Sequence, residues 1–102
     1  MDYHAESSLI KAIANPNRLK IIDILSCGEQ CACDLLDHFN FSQPTLSHHV
    51  NILAKSDLVK VRKQGQWNYY SLNQPKCTEI IIDLMQMFNQ TEECICKEKS
   101  PI

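Results

Sequence analysis

The chain has 102 residues, a formal net charge of −2 and six cysteines, a length that suits one domain whose core would gain from burial against a second chain. Its start, Met-Asp-Tyr-His-Ala-Glu-Ser-Ser, lacks the basic and apolar stretches of a secretory leader. No apolar run approaches the ~20 residues that cross a bilayer, so a cytoplasmic protein without a membrane partner is expected, its cysteines serving as thiols rather than as a disulfide framework.

In chain order, a first helix over about residues 6–14 carries Leu9, Ile10 and Ile13 and stops at Asn15-Pro16. There Asn is placed to cap a second helix and Pro to open it. The second helix, about residues 17–26, ends at Gly28. A third begins near Cys31, with Ala32, Leu35, Leu36 and Phe39 forming one apolar stripe. Asn40-Phe41-Ser42 breaks it, and Ser42 is placed to cap a fourth helix over about 43–55, its inward face formed by Leu46, Val50 and Leu53. After Asp57 the period shortens: Val59 and Val61 alternate with Lys60 and Arg62, and beyond Gln64-Gly65, Trp67, Tyr69 and Ser71 alternate with Asn68 and Tyr70. This predicts a β-hairpin over about 58–72, with Trp67 and the tyrosines as its packing residues. A last helix over about 75–90 places Cys77, Ile80, Ile81, Leu84, Met85 and Phe88 on one broad apolar face, and a cysteine-bearing tail spans 91–102.

Helices followed by a small hairpin make a mainly α winged helix-turn-helix, one domain over 1–102. The apolar face of the last helix exceeds what so small a core can cover. It predicts a homodimer through the first and last helices, with Leu9, Ile13, Ile80, Ile81, Leu84, Met85 and Phe88 at the interface.

The charge is unevenly placed. Between Asn40 and Leu72, Lys55, Lys60, Arg62 and Lys63 face only Asp57, a local +3 that leaves −5 elsewhere. Such a basic face on an acidic body suits the tracking of phosphates in double-stranded DNA. At ~100° per residue, His48 and Asn51 point away from the predicted core, with Thr45 and Ser47 flanking and His49 at the edge. Gln43, Thr45, Ser47, His48 and Asn51 are the groove candidates, since amide side chains pair with adenine and a Thr methyl suits thymine. Ser42 and Gln43 lie at the helix start, where free N–H groups favour a phosphate, and Lys63 and Gln64 lie on the wing tip.

The thiols divide into groups. Thiolates select soft ions, which makes Cys31-Ala32-Cys33 the candidate metal site, with a third ligand open among Cys27, Cys94 and Cys96. Two residues apart on a helix, Cys31 and Cys33 would diverge by about 200°. Ion binding is therefore expected to distort the helix start and, through Leu35, Leu36 and Phe39, to shift the fourth helix. Cys77 falls in the apolar stripe and reads as a small buried hydrophobe.

Cys31-Ala-Cys33-Asp-Leu-Leu, Ser42-Gln-Pro-Thr-Leu-Ser-His-His and Arg62-Lys-Gln-Gly-Gln-Trp, in that order and spacing, resemble the arsenic-responsive repressors of the ArsR/SmtB family over nearly the whole chain. The resemblance implies a winged-helix homodimer on the operator of a resistance operon, with no cofactor required for DNA binding and As(III) or Sb(III) as inducer. Three departures stand out. Some arsenic-sensing relatives carry a third cysteine where this chain has Leu36. Zinc-sensing relatives use histidines on the last helix, whereas the histidines here are His4, His38, His48 and His49; cadmium- and lead-sensing relatives add amino-terminal cysteines, and residues 1–26 have none. A cadmium or lead sensor, or an oxidant sensor closing a disulfide, is the alternative on the same fold. A zinc-stapled interaction module or a thiol-disulfide enzyme fits less well, because Cys-x-Cys is neither a common zinc spacing nor a redox Cys-x-x-Cys. The sequence carries no catalytic constellation, so an enzyme is not expected.

Overall fold

Short polar side chains set where the helices start. In the computed structural model, which describes residues 1–89, Asp2 accepts from the His4 and Ala5 N–H groups at 3.0 and 3.2 Å. Helix α1 therefore runs Tyr3–Ile13, earlier than its apolar spacing suggests, because the cap lies upstream of the stripe. Asn15 accepts from Asn17 and Arg18 at 2.9 and 3.3 Å, and Pro16 opens α2, Pro16–Leu25. A strand of two residues, β1 (Gln30–Cys31), precedes a one-turn helix, α3 (Ala32–Leu36). Phe39 lies beyond the end of α3, its ring stacked on Phe41 at 4.6 Å. The expected stripe thus stops at Leu36, and Phe39 reaches the core's margin from a loop.

Helix α4 (Gln43–Lys55) has Ser42 as its N-cap residue, but the Ser42 side chain makes no capping bond and its hydroxyl lies 3.4 Å from that of Thr45. The helix closes with Leu58 N–H on Leu53 C=O and Asp57 N–H on Ala54 C=O, Asp57 taking the left-handed conformation (φ 61°) that this reversal needs. The chain then enters β2 (Val59–Gln64) and β3 (Trp67–Leu72) and finishes in α5 (Gln74–Phe88). Gly65, at φ 63°, opens the turn between Gln64 and Trp67, where an L side chain would be strained.

The sheet has three strands where a hairpin was expected, in the order β1-β3-β2, all antiparallel. Val59 pairs with Leu72, Val61 with Tyr70, and Arg62 with Tyr69. The register decides which aromatic is buried: Tyr70 is 4% exposed and Trp67 54%. Trp67 closes the distal end of the hairpin, beyond the reach of the core, so it is not the packing residue that the alternation suggested. Tyr70 shares the core with Ile21 and Leu25 of α2, Leu35 of α3, and Leu46, Val50 and Leu53 of α4.

Ile80 of α5 is 6% exposed and joins that core, while Leu9, Ile13 and Leu84 pack partly against it. Of the residues expected at a chain–chain interface, Ile80 is thus engaged within its own chain. Ile81, Met85 and Phe88 remain exposed. No helix among the described residues is long and apolar enough to cross a membrane.

Candidate thiol site and nucleic-acid interface

Cys31 is not inside a helix. It is the N-cap of α3, with extended backbone (φ −74°, ψ 158°), and its sulfur accepts from the Asp34 N–H at 3.4 Å. The angular divergence expected for two helical cysteines therefore does not arise. The sulfurs of Cys31 and Cys33 and a carboxylate oxygen of Asp34 all lie within 4.8 Å of one another. No unwinding of α3 is needed to bring both thiols to one ion. Cys31 is half-buried and Cys33 exposed. The hydrogen bond with Cys31 pushes the Cys33 thiol above its ordinary pKa, with desolvation and the Asp34 charge adding to the effect, so Cys33 carries its proton at neutral pH. A soft ion would use the two sulfurs, the carboxylate being a hard ligand.

Cys27 is exposed and not part of that cluster; it borders a surface cleft with Asp23, Ile24, Gln30 and His38. Cys94 and Cys96 lie outside the described residues. Cys77 is half-buried against the core, its thiol 3.7 Å from the Leu58 carbonyl, and burial raises its pKa.

Cys33 also lines a cavity of about 140 Å³ with Leu36, Gln43 at the start of α4, and Gln66, Trp67 and Asn68 of the wing. The thiol site, the helix start and the wing tip meet at this cavity.

On α4, Ser42, Gln43, His48 and Asn51 are exposed and Thr45 and Ser47 half-buried. His49 is not at the helix edge but 8% exposed, with Nδ1 3.1 Å from the Arg18 guanidinium, which also donates to the Ala12 carbonyl at 2.6 Å. Burial, then the charges of Arg18 and His48, lower the His49 pKa. The neutral ring accepts from Arg18, and α1, α2 and α4 are held at one point. The position three residues after Leu46 could have signalled this burial; its partner on α2 could not be found by local spacing.

Lys63 and Gln64 are exposed on β2. Arg62 is engaged: it donates to both Glu29 oxygens at 2.7 and 3.2 Å and to Gln64 at 2.8 Å, and its guanidinium lies 4.6 Å over the Tyr69 ring. These bonds hold Glu29 below and Arg62 above their ordinary pKa values. One of the four cations of the basic face is thereby occupied within the chain. Glu29 carries no motif of its own in the sequence.

The molecule is a winged helix-turn-helix in which two thiols converge where the edge strand of its wing sheet runs into α3. Residues 15–61 match the family described as "Bacterial regulatory protein, arsR family". The chain is 46% identical to an arsenical resistance operon repressor of Staphylococcus aureus, over 95% of this chain and 93% of that one. It is likewise 46% identical to the arsenical resistance operon repressor of Staphylococcus xylosus, at the same coverage. Among solved structures, HlyU from Vibrio cholerae superposes with a TM-score of 0.69 at 30% identity, covering 86% of this chain and 96% of that one. The chain belongs to the arsR family of bacterial regulatory proteins.

Proposed function

We propose that this chain is a cytoplasmic, non-enzymatic transcriptional repressor that binds the operator of a resistance operon as a homodimer and is released by trivalent arsenic or antimony. The observation that carries the reading is the convergence of the Cys31 and Cys33 sulfurs within 4.8 Å, in a chain whose relatives are named arsenical resistance operon repressors. Each thiol displaces one hydroxyl of arsenous acid: an S–As bond forms, an As–O bond breaks, and the thiol proton leaves with the hydroxyl as water. A third thiolate comes from Cys27, Cys94 or Cys96. Operator contact uses Gln43, Thr45, Ser47, His48 and Asn51 in the major groove, Ser42 at the helix start, and Lys63 and Gln64 on the wing.

A titration of operator-bound protein with arsenite, antimonite, cadmium, lead, zinc and peroxide in parallel tests the reading. Cys31→Ser and Cys33→Ser should retain operator binding and lose release by arsenite, whereas Cys77→Ser should retain both. Release of the double variant by arsenite would show the assignment to be wrong. The adjacent thiols also favour one second reading, an oxidant sensor in which peroxide takes two electrons and two protons from the pair, yielding a disulfide and water. Release by peroxide and not by arsenite selects it.

A further inference from the structure

We infer that the thiol site reports to the wing through a clasp made by Glu29, Arg62 and Tyr69, in which Glu29 and Arg62 are positioning residues for release from DNA. The inference rests on the inducer reading above. Cys31 has two attachments: its sulfur belongs to the thiol cluster, and its backbone pairs with Tyr69 in the β1–β3 ladder. Tyr69 pairs on its other side with Arg62 of β2, whose guanidinium covers its ring at 4.6 Å. From β2, Arg62 reaches back over β3 and forks onto Glu29, the residue immediately before β1, at 2.7 and 3.2 Å.

The loop closes on itself. A strand of two residues has too few backbone bonds to hold its own register, so a side-chain fork from the far strand supplies what the ladder lacks. Arg62 also donates to Gln64 at 2.8 Å, which extends the connection to the wing tip beside Lys63. An ion that draws Cys31 toward Cys33 removes the sulfur that caps the Asp34 N–H and shifts β1 against β3. The clasp obliges β2 to follow.

The alternative route, through α3 into α4, is less well built. Helix α3 has one turn and packs on β1 and β3 more than on α4. Its thiols sit at its open end, while Leu35 holds its other face in the core.

The Glu29–Arg62 pair is half exposed, and exposed ion pairs contribute little to stability. Its expected effect is therefore on coupling rather than on folding. For wild type, Glu29→Gln, Arg62→Lys and the exchange Glu29→Arg/Arg62→Glu, the ratio of operator Kd with and without arsenite is measured, each variant normalised to its own ion-free Kd. Arsenite binding is followed separately by thiolate–arsenic absorbance and by fluorescence of Trp67, the single tryptophan, which shares a cavity with Cys33. We expect Glu29→Gln and Arg62→Lys to bind arsenite as wild type does and to lose about threefold to tenfold of the ratio, a part of the 5- to 150-fold effect typical of a whole allosteric coupling. The exchange variant should recover part of that loss, and Lys60→Gln, on the same strand without the fork, should lose none.

Hydrogen exchange gives a second readout. Arsenite should raise exchange in β2 and β3 of wild type but only in β1 and α3 of Glu29→Gln. A Glu29→Gln protein with the full wild-type ratio and wild-type exchange pattern overturns the clasp. Failure of arsenite to release wild type overturns the inducer reading and the clasp's role with it.

Discussion

His49 shows what a single buried ring contributes. It is neutral, accepts from Arg18, and has a pKa below its ordinary 6.5 through burial and then the Arg18 and His48 charges. A histidine depressed in the folded state binds its proton more tightly when unfolded. Its stabilising contribution is therefore complete above pH 6.5 and is lost as pH falls through the lower folded value. The melting midpoint of wild type should fall between pH 7 and pH 5 by more than that of His49→Asn, whose side-chain oxygen can accept from Arg18 without titrating. Equal slopes would show that the ring is free to protonate in place. The sequence placed His49 at the helix edge because Leu46, Val50 and Leu53 already define an inward face. The pairing with Arg18 spans 31 residues, and no local period reports a contact of that separation.

Among the elements, α4 and the wing carry different parts of the proposed DNA contact. Lys63→Ala should weaken specific and random DNA alike and reduce the salt slope by about 0.9 per lost phosphate contact. Gln43→Ala and His48→Ala should instead lower discrimination between operator and random DNA, each by about 1–3 kcal/mol if it reads a base edge. Binding curves over a range of salt concentrations separate the two classes, and an unchanged slope for Lys63→Ala would remove the wing from the phosphate contacts. Helices α2 and α4 and the hairpin were legible because caps, a Gly turn and apolar spacing all agree there. The last helix was legible too, expected over about 75–90 and found at Gln74–Phe88; other features were hidden for physical reasons. Strand β1 is too short to show alternation and exists only through its pairing with β3. Phe39 prolongs the helical pattern although the chain has already turned at Asp37. The pattern records which residues reach the core, and a loop can deliver one as well as a helix. The thiol pair was visible as a motif, but its convergence depends on Cys31 lying on a strand.

At the scale of the whole molecule, α5 has an inner and an outer apolar row. Ile80 belongs to the core of its own chain, while Ile81, Met85 and Phe88 face outward, spaced to form one stripe. The proposed dimer uses this outer row. Phe88 is 85% exposed in the single chain, so Phe88→Glu should leave the fold intact, as judged by circular dichroism. In sedimentation the variant should shift toward monomer, and its operator affinity should drop because two reading heads about 34 Å apart no longer act together. A Phe88→Glu protein that remains dimeric and binds at full affinity would place the interface elsewhere.

The placement of Cys31 just outside α3 has a kinetic consequence. Cys33 is the more accessible sulfur, so in the proposed inducer site an incoming ion would be captured there first, at a single point. Ring closure onto Cys31 is then intramolecular, at an effective concentration set by a neighbour within 4.8 Å. One-point capture is readily reversed by any small monothiol in the surroundings, whereas a closed chelate requires two displacements before the ion departs. On the proposed reading, the backbone turn that admits Cys31 to the sheet would filter passing encounters from lasting ones, a signal persisting only once the second sulfur has closed.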